Sequence, residues 1–277
     1  MEPGIARHYD ISGLEEQILG ALAGTGVDVA HLRADALEAV DEFHIGGVAA
    51  TRELIDQMKL KPAARLLDIG SGIGGPARFV ANSVGADVTG IDLTQSYVDI
   101  AASLSKRTGL SDKTHFVQGS ALDMPFADAS FDAAMILHVG MNLPDKAKLM
   151  CEAARVLKPG GVFAVYDVMR LKDGALTYPL PWASNETMSF VATPDDYRSA
   201  AAAAGFSVTT ERPRGAFAIE FFAALRARMA AAQAEGKKPP PGVNLVMGED
   251  ARTKIANLVA LLEGGVLAPV EMLLRLG

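Results

Sequence analysis

From residue 65 onward, short apolar runs alternate with stretches whose apolar residues recur at helical spacing. The runs predict strands at Arg65 to Ile69, Asp87 to Ile91, Thr114 to Gln118, Phe131 to Leu137 and Gly161 to Asp167. Between them, Pro76 to Val84, Gln95 to Arg107 and Asp145 to Val156 read as helices. Strand and helix in regular alternation predict an α/β fold, a doubly wound parallel sheet with helices on both faces. Phe206 to Thr210 and Pro269 to Leu276 would add a sixth and a seventh strand, and Thr193-Pro194-Asp195-Asp196 opens a helix between the fifth and sixth with a capping pattern.

Two regions fall outside that rhythm. Ahead of the first strand, Leu14 to Ala23, Leu32 to Glu42 and Val48 to Met58 read as three helices separated by glycines, which makes residues 1–62 an N-terminal helical lid or brace. Residues 211–265 separate the last two strands where a hairpin would suffice. They carry one helix with Phe217, Phe221, Phe222, Leu225 and Met229 on its apolar side, a linker from Gly236 to Gly242, and a second helix from Asp250 to Leu262. The expected organisation is therefore a lid at 1–62, a sheet core at 63–210 and 266–277, and a helical cap insertion at 211–265. The aromatic stripe itself reads first as ordinary packing against the sheet, because periodicity does not say what a face meets.

Composition narrows the function more than the fold. A chain of 277 residues with 49% hydrophobic content builds a sizeable core, and its net charge of −7, without a basic run, argues against nucleic acid as a partner. Lys237-Lys238 reads as a solvated loop, and Glu15-Glu16 and Asp195-Asp196 as solvated helix-end charge. The N-terminus lacks the features of an export signal, and no stretch approaches the ~20 apolar residues of a membrane span. The expectation is a cytoplasmic protein, monomer or homodimer, with no membrane or nucleic-acid partner. Cys151, the single cysteine, excludes an intrachain disulfide and is expected as a small buried helix residue. No metal-ligand spacing, Ser-His-Asp set or P-loop appears.

The chemistry concentrates in Leu66-Leu67-Asp68-Ile69-Gly70-Ser71-Gly72-Ile73-Gly74-Gly75, a strand running into a glycine turn and a helix. Gly70, Gly72 and Gly75 fit G-x-G-x-x-G, while Gly70, Gly72 and Gly74 fit G-x-G-x-G, so spacing alone does not choose the cofactor. Asp68 does. A carboxylate at that strand end repels a pyrophosphate but pairs with an ammonium, which favours S-adenosylmethionine over a nicotinamide dinucleotide. Asp92, ending the second strand, is placed to accept two ribose hydroxyls.

With Gly90-Ile91-Asp92-Leu93-Thr94, Gly119 to Phe126, Ser130-Phe131-Asp132 and Arg155 to Gly161 in the same order, the chain resembles the class I S-adenosylmethionine-dependent methyltransferases. The resemblance implies a Rossmann-like seven-stranded sheet, S-adenosylmethionine as cofactor with S-adenosylhomocysteine as product, and a cofactor site formed by Asp68, Gly70, Ser71, Gly72, Gly74, Asp92, Leu93, Ser120, Ala121 and Leu137. Ser120 stands where that family most often has Asp, which leaves the backbone amide of Ala121 as the alternative contact to the adenine edge. A narrower resemblance, carried by Glu42 to Gly47 and by Tyr9-Asp10, is to the sarcosine and dimethylglycine N-methyltransferases, with wider kinship to the quinone C-methyltransferases.

Methyl transfer from a sulfonium is an in-line displacement that needs a base only when the acceptor loses a proton. His138, directly after the fourth strand, is the first candidate base; a structural histidine, or one lending only its carbonyl to the cofactor ammonium, is the alternative. His44 and Tyr9 are further candidates, His44 being equally suited to cap a helix. For the acceptor, Arg170 and Arg214 follow the fifth and sixth strands and could fork a carboxylate. Tyr178 and Trp182, in a proline-stiffened segment, could cradle an alkylammonium, or simply seal the lid. An amine nitrogen is the expected acceptor, with phenolic oxygen or enol carbon, and a cofactor-binding regulator without catalysis, as alternatives.

Overall fold

The computed structural model describes residues 13–236, 241–242, 244–248 and 250–277. Tyr9 and Asp10, and Lys237-Lys238, lie outside the described residues. The described elements start with α1 (Leu14–Ala23), a 3-10 turn (Ala34–Ala36), the single turn α2 (Glu38–Asp41) and α3 (Gly47–Met58). Then follow β1 (Arg65–Ile69), α4 (Gly75–Val84), β2 (Asp87–Asp92), α5 (Gln95–Arg107), β3 (Thr114–Gln118), β4 (Phe131–Leu137), α6 (Lys146–Val156), β5 (Leu157–Arg170), α7 (Pro194–Ala203) and β6 (Phe206–Pro213). The remainder is α8 (Gly215–Ala234), α9 (Asn244–Met247), α10 (Ala251–Glu263) and β7 (Leu267–Leu276).

The seven strands make one sheet in the order β3-β2-β1-β4-β5-β7-β6, parallel except that β7 runs against both of its neighbours. Strand alternation sends successive side chains to opposite faces. Leu67 and Ile69 join Ile136, Phe163 and Val165 beneath α6 and α7, while Leu66 joins Ala133, Met135 and Tyr166 beneath α3 and α4. The side chains of both cores are almost wholly buried, and each large aliphatic one removed from water contributes about 1.5–3 kcal/mol. Thr193 caps α7 through the reciprocal bonds to Asp196 that the sequence predicts. Asp195, by contrast, pairs with Arg198.

The structure corrects several expectations. Leu32 to Glu42 is not one helix, because the chain breaks into a 3-10 turn and one α turn and leaves the helical path at Glu42 to reach the sheet. β5, β6 and β7 all run longer than predicted, since a central antiparallel β7 pairs along most of both neighbours. Cys151 is exposed on α6, whose buried side is filled by Leu149, Met150 and Ala153. In the 211–265 segment, Ala218 and Phe222 of α8 and Leu258, Val259, Leu261 and Leu262 of α10 pack on Leu180 and Trp182, while Met229 stays exposed. α1 seals a separate cluster against Tyr97, Ile100 and Leu104 of α5 and Ile73 of the glycine turn.

Candidate active site

Strand order reverses between β1 and β4, and the crevice outside their carboxyl ends is where an open α/β sheet binds ligands. A cleft opens there, enclosing about 1170 Å³ counted out to its mouth. Asp68, Gly70, Ser71, Gly72, Asp92, Leu93, Ser120, Ala121, Leu137, His138 and His44 all line it. Gly74 does not: it ends the turn as the residue before α4, against Arg78 and the Phe116 ring.

The turn is held by the neighbouring strand. Gly70 and Ser71 donate their N–H groups to the carbonyl of Ile91 at 2.7 and 3.1 Å. Gly72 has a left-handed φ of 53° and a Cβ built there would meet nothing within 4 Å, so it presents bare backbone to the cleft. At Gly70 the same construction runs into Val139, which is why no side chain fits where β1 and the loop after β4 meet.

Asp92 is fixed by its own surroundings: Oδ2 accepts from Gly72 N–H and Oδ1 from Thr94 N–H, both at 2.9 Å. Each oxygen keeps a further lone pair for a ligand hydroxyl. Asp68 is 2% exposed, and its Oδ2 has no hydrogen-bond partner. Burial, reinforced by the nearby Asp92, pushes its pKa up to about 8. Ser71 Oγ is likewise buried without a partner. Two acids and an unpartnered hydroxyl facing one hollow make a set that a cationic ligand with donor hydroxyls would satisfy, and S-adenosylmethionine has both features. Ser120 Oγ accepts from Leu122 N–H at 3.0 Å, so the residue that stands in for the family's usual Asp also braces its own turn.

The same cleft is lined by two histidines and by hydrocarbon. His138 has a left-handed φ of 54°, and the carbonyl of Tyr166 on β5 accepts from its backbone N–H at 2.7 Å and from its Nδ1 at 3.2 Å. His44 reaches in from the segment before α3, its ring centroid 5.9 Å from that of His138. Burial lowers the pKa of His44 to about 4 and, with His44 nearby, that of His138 to about 3. Both rings are therefore neutral near pH 7. Phe43, Val139, Leu143 and Pro144 complete this wall, and none of the described lining residues is lysine or arginine.

The four residues expected to bind the acceptor lie elsewhere. Arg214 pairs with Glu53 at 2.8 Å and Glu271 at 3.4 Å and stacks on Phe217, and Arg170 donates to the carbonyl of Gly174. Trp182 is 2% exposed and donates Nε1–H to Ser189 Oγ, and Tyr178 packs against the same cluster. The segment carrying both aromatics is covered by α8 and α10 and so faces the 211–265 helices. Sequence reasoning missed the contributions of Asp41, Phe43, Tyr97, Asn142, Leu143 and Pro144, whose only signal was proximity in sequence to His44, the second strand or His138.

Residues 67–165 match the family model described as a methyltransferase domain. Over that stretch the chain is similar to S-adenosylmethionine-dependent methyltransferases. The chain is similar to the sterol 24-C-methyltransferase ERG6B of Gibberella zeae, 42% identical over 114 residues, which are 41% of this chain and 30% of that protein. This chain thus spans less than a third of that relative's length. The methyltransferase fold extends further. The geranyl diphosphate C-methyltransferase of Streptomyces coelicolor superposes with a TM-score of 0.70 at 18% identity, covering 99% of this chain and 97% of that one. A sarcosine dimethylglycine methyltransferase from Galdieria sulphuraria superposes at 0.68 and 21%, covering 85% and 92%. Among the described residues no helix is long and apolar enough to cross a membrane, and no His, Cys, Asp and Glu cluster could hold a metal ion.

Proposed function

We propose that the protein transfers a methyl group from S-adenosylmethionine to a small, largely apolar acceptor, at an oxygen or carbon that gives up a proton. The observation that carries this reading is the make-up of the cleft wall. Buried Asp68 and half-buried Asp92 share it with two neutral imidazoles and several hydrocarbon side chains, and no arginine or lysine is among the described lining residues. Asp68 would hold the ammonium and Asp92 the ribose, with Leu93, Ser120 and Ala121 at the adenine end. When bound, S-adenosylmethionine supplies an electrophilic methyl group on a sulfonium.

The chain's own residues do the rest by position and exclusion. The loop from Val139 to Pro144 and Phe43 from the N-terminal segment wall the acceptor side with hydrocarbon, which keeps water from competing with the acceptor and strengthens local electrostatics. A neutral imidazole facing that space can take a proton from a phenol or enol as it attacks, whereas a tertiary amine has no proton to give. An acceptor bearing a carboxylate or phosphate would meet buried acids without a compensating cation. The proton-releasing acceptor therefore replaces the amine as the favoured class, a choice supported by the carbon-methylating relatives named above. S-adenosylhomocysteine release should be measured over matched phenols, enols, alkenes and amines of one carbon skeleton. Turnover confined to phenols and enols is expected, and turnover confined to amines would return the assignment to nitrogen.

A further inference from the structure

Behind His44 lies a carboxyl with no lysine or arginine partner among the described residues. Glu42 is 2% exposed, and whereas its neighbour Asp41 is paired with Arg78 at 2.8 Å, the one ion-pair contact of Glu42 among the described residues is His44 Nε2 at 3.5 Å. A buried acid without a basic partner is costly and calls for a use. Thr51, which lies between the two groups, donates to it. His44 Nε2 lies 3.1 Å from the carbonyl of Gly47 and 3.1 Å from Thr51 Oγ1, and Thr51 Oγ1 donates to Glu42 Oε2 at 2.7 Å. A carbonyl only accepts, so the His44 proton sits on Nε2 and Nδ1 carries the lone pair. His138 is arranged differently. Its Nδ1 donates to the carbonyl of Tyr166, and its Nε2 faces the N–H of Ile45 at 3.4 Å, so both ring nitrogens are engaged by backbone.

The geometry points to His44 as the catalytic base, taking the acceptor's proton on Nδ1, with Glu42 acting through Thr51 as the positioning residue that orients the ring and balances its charge. This rests on the proton-releasing reading of the acceptor. The bond from acceptor oxygen or carbon to hydrogen breaks, its electron pair stays with the acceptor, and the proton passes to Nδ1 while the acceptor gains the methyl group. The sulfonium loses its positive charge as the imidazole gains one, so the cleft keeps its net charge and Glu42 remains the counter-ion. A buried imidazole alone is a weak base; an ionised carboxylate behind it restores basicity.

The working state thus requires Glu42 to be ionised. The groups bearing on it are Glu38 and Asp41 of its own segment, Asp68 of β1, Thr51 of α3 and His44. Beyond these stand Arg78 of α4, paired with Asp41, and His138 and Tyr166 against the His44 ring. Burial first, then the negative charge of Asp41, raises Glu42 well above the ordinary carboxyl range, with Thr51 opposing. Turnover should accordingly rise with pH through a titration above that range.

Glu42→Gln keeps an acceptor for Thr51 and removes the charge. It should lower kcat by ~10² or more, abolish that rising limb and leave S-adenosylmethionine affinity unchanged. Thr51→Val should lower kcat, with Thr51→Ser restoring it. Unaltered kcat and pH profile in Glu42→Gln would overturn the assignment while leaving methyl transfer standing. Nitrogen NMR of the free protein tests it without turnover. A His44 ring protonated on Nε2, whose shifts follow a titration lost in Glu42→Gln, supports it, and a ring protonated on Nδ1 overturns it. Should no proton-releasing acceptor be methylated, the functional reading fails in the acceptor assay, whatever the NMR shows of the pair.

Discussion

Replacing Asp68 by asparagine should improve the free protein and cripple the bound one, because one carboxyl controls both. Asp68 is buried with an unpartnered oxygen and holds its proton up to about 8 in the folded chain, against 3.8 for the unfolded one. Between those limits the native state binds the extra proton. The stability associated with Asp68 is therefore fully present below the unfolded value and is lost as pH rises through about 8. At 1.36 kcal/mol per unit the loss is on the order of 6 kcal/mol. Asp68→Asn carries no such titration, so without cofactor the variant should melt well above the parent at alkaline pH and alongside it in mild acid. Binding goes the other way. Pairing with an ammonium requires the ionised carboxylate, so the parent's affinity for S-adenosylmethionine should climb roughly tenfold per pH unit toward about pH 8 and fall beyond it, as the ligand's own α-ammonium deprotonates. Isothermal titration in buffers of different ionisation enthalpy should show a proton released on binding below that maximum. In Asp68→Asn the affinity should drop by roughly tenfold to over a hundredfold and lose this steep dependence. A parent whose affinity is flat across this range, or an asparagine variant that binds as tightly, would refute the role given to Asp68.

Asp92→Ala, which removes the acceptor of the Gly72 and Thr94 amides as well as the ribose contact, should weaken S-adenosylmethionine binding by about tenfold to over a hundredfold in calorimetry; unchanged affinity would remove Asp92 from the site. Gly140→Ala would push a methyl group into the Asp167 carboxyl and the Tyr197 hydroxyl, which are hydrogen-bonded beneath the loop that carries His138; thermal unfolding should show a loss of about 1–3 kcal/mol, and a neutral effect would mean that the loop relaxes freely. Trp182→Leu should cost roughly 2–4 kcal/mol of stability by cavity formation in the cluster beneath α8 and α10, with quaternary ammonium ligands and their neutral isosteres affected alike; selective loss of the charged ligands would revive the aromatic cradle.

The order of strands and helices, the glycine turn and the acids at two strand ends were legible in the chain because they are local. Period-two and period-3.6 patterning, a turn punctuated by glycines, and a carboxylate at a fixed offset from it all lie within a few neighbouring positions. β1, β3, β4 and α5 have the bounds the pattern predicts, and Asp68, Asp92, Ser120 and His138 converge because a parallel sheet collects its carboxyl ends on one side. What a side chain faces across the fold is not local. Trp182 and Tyr178 share a segment after β5 that could have faced the cleft, but α8 and α10, some forty to eighty residues away in sequence, cover it. Arg214 follows a strand end as a ligand-binding arginine might, yet Glu53 from α3 and Glu271 from β7 reach it first. Nothing local to Glu42 or Thr51 marks either as part of a site. Only the break after α2 and the docking of α3 on the sheet bury both beside His44, where the absence of water turns a common carboxyl into a group able to govern a neighbouring imidazole.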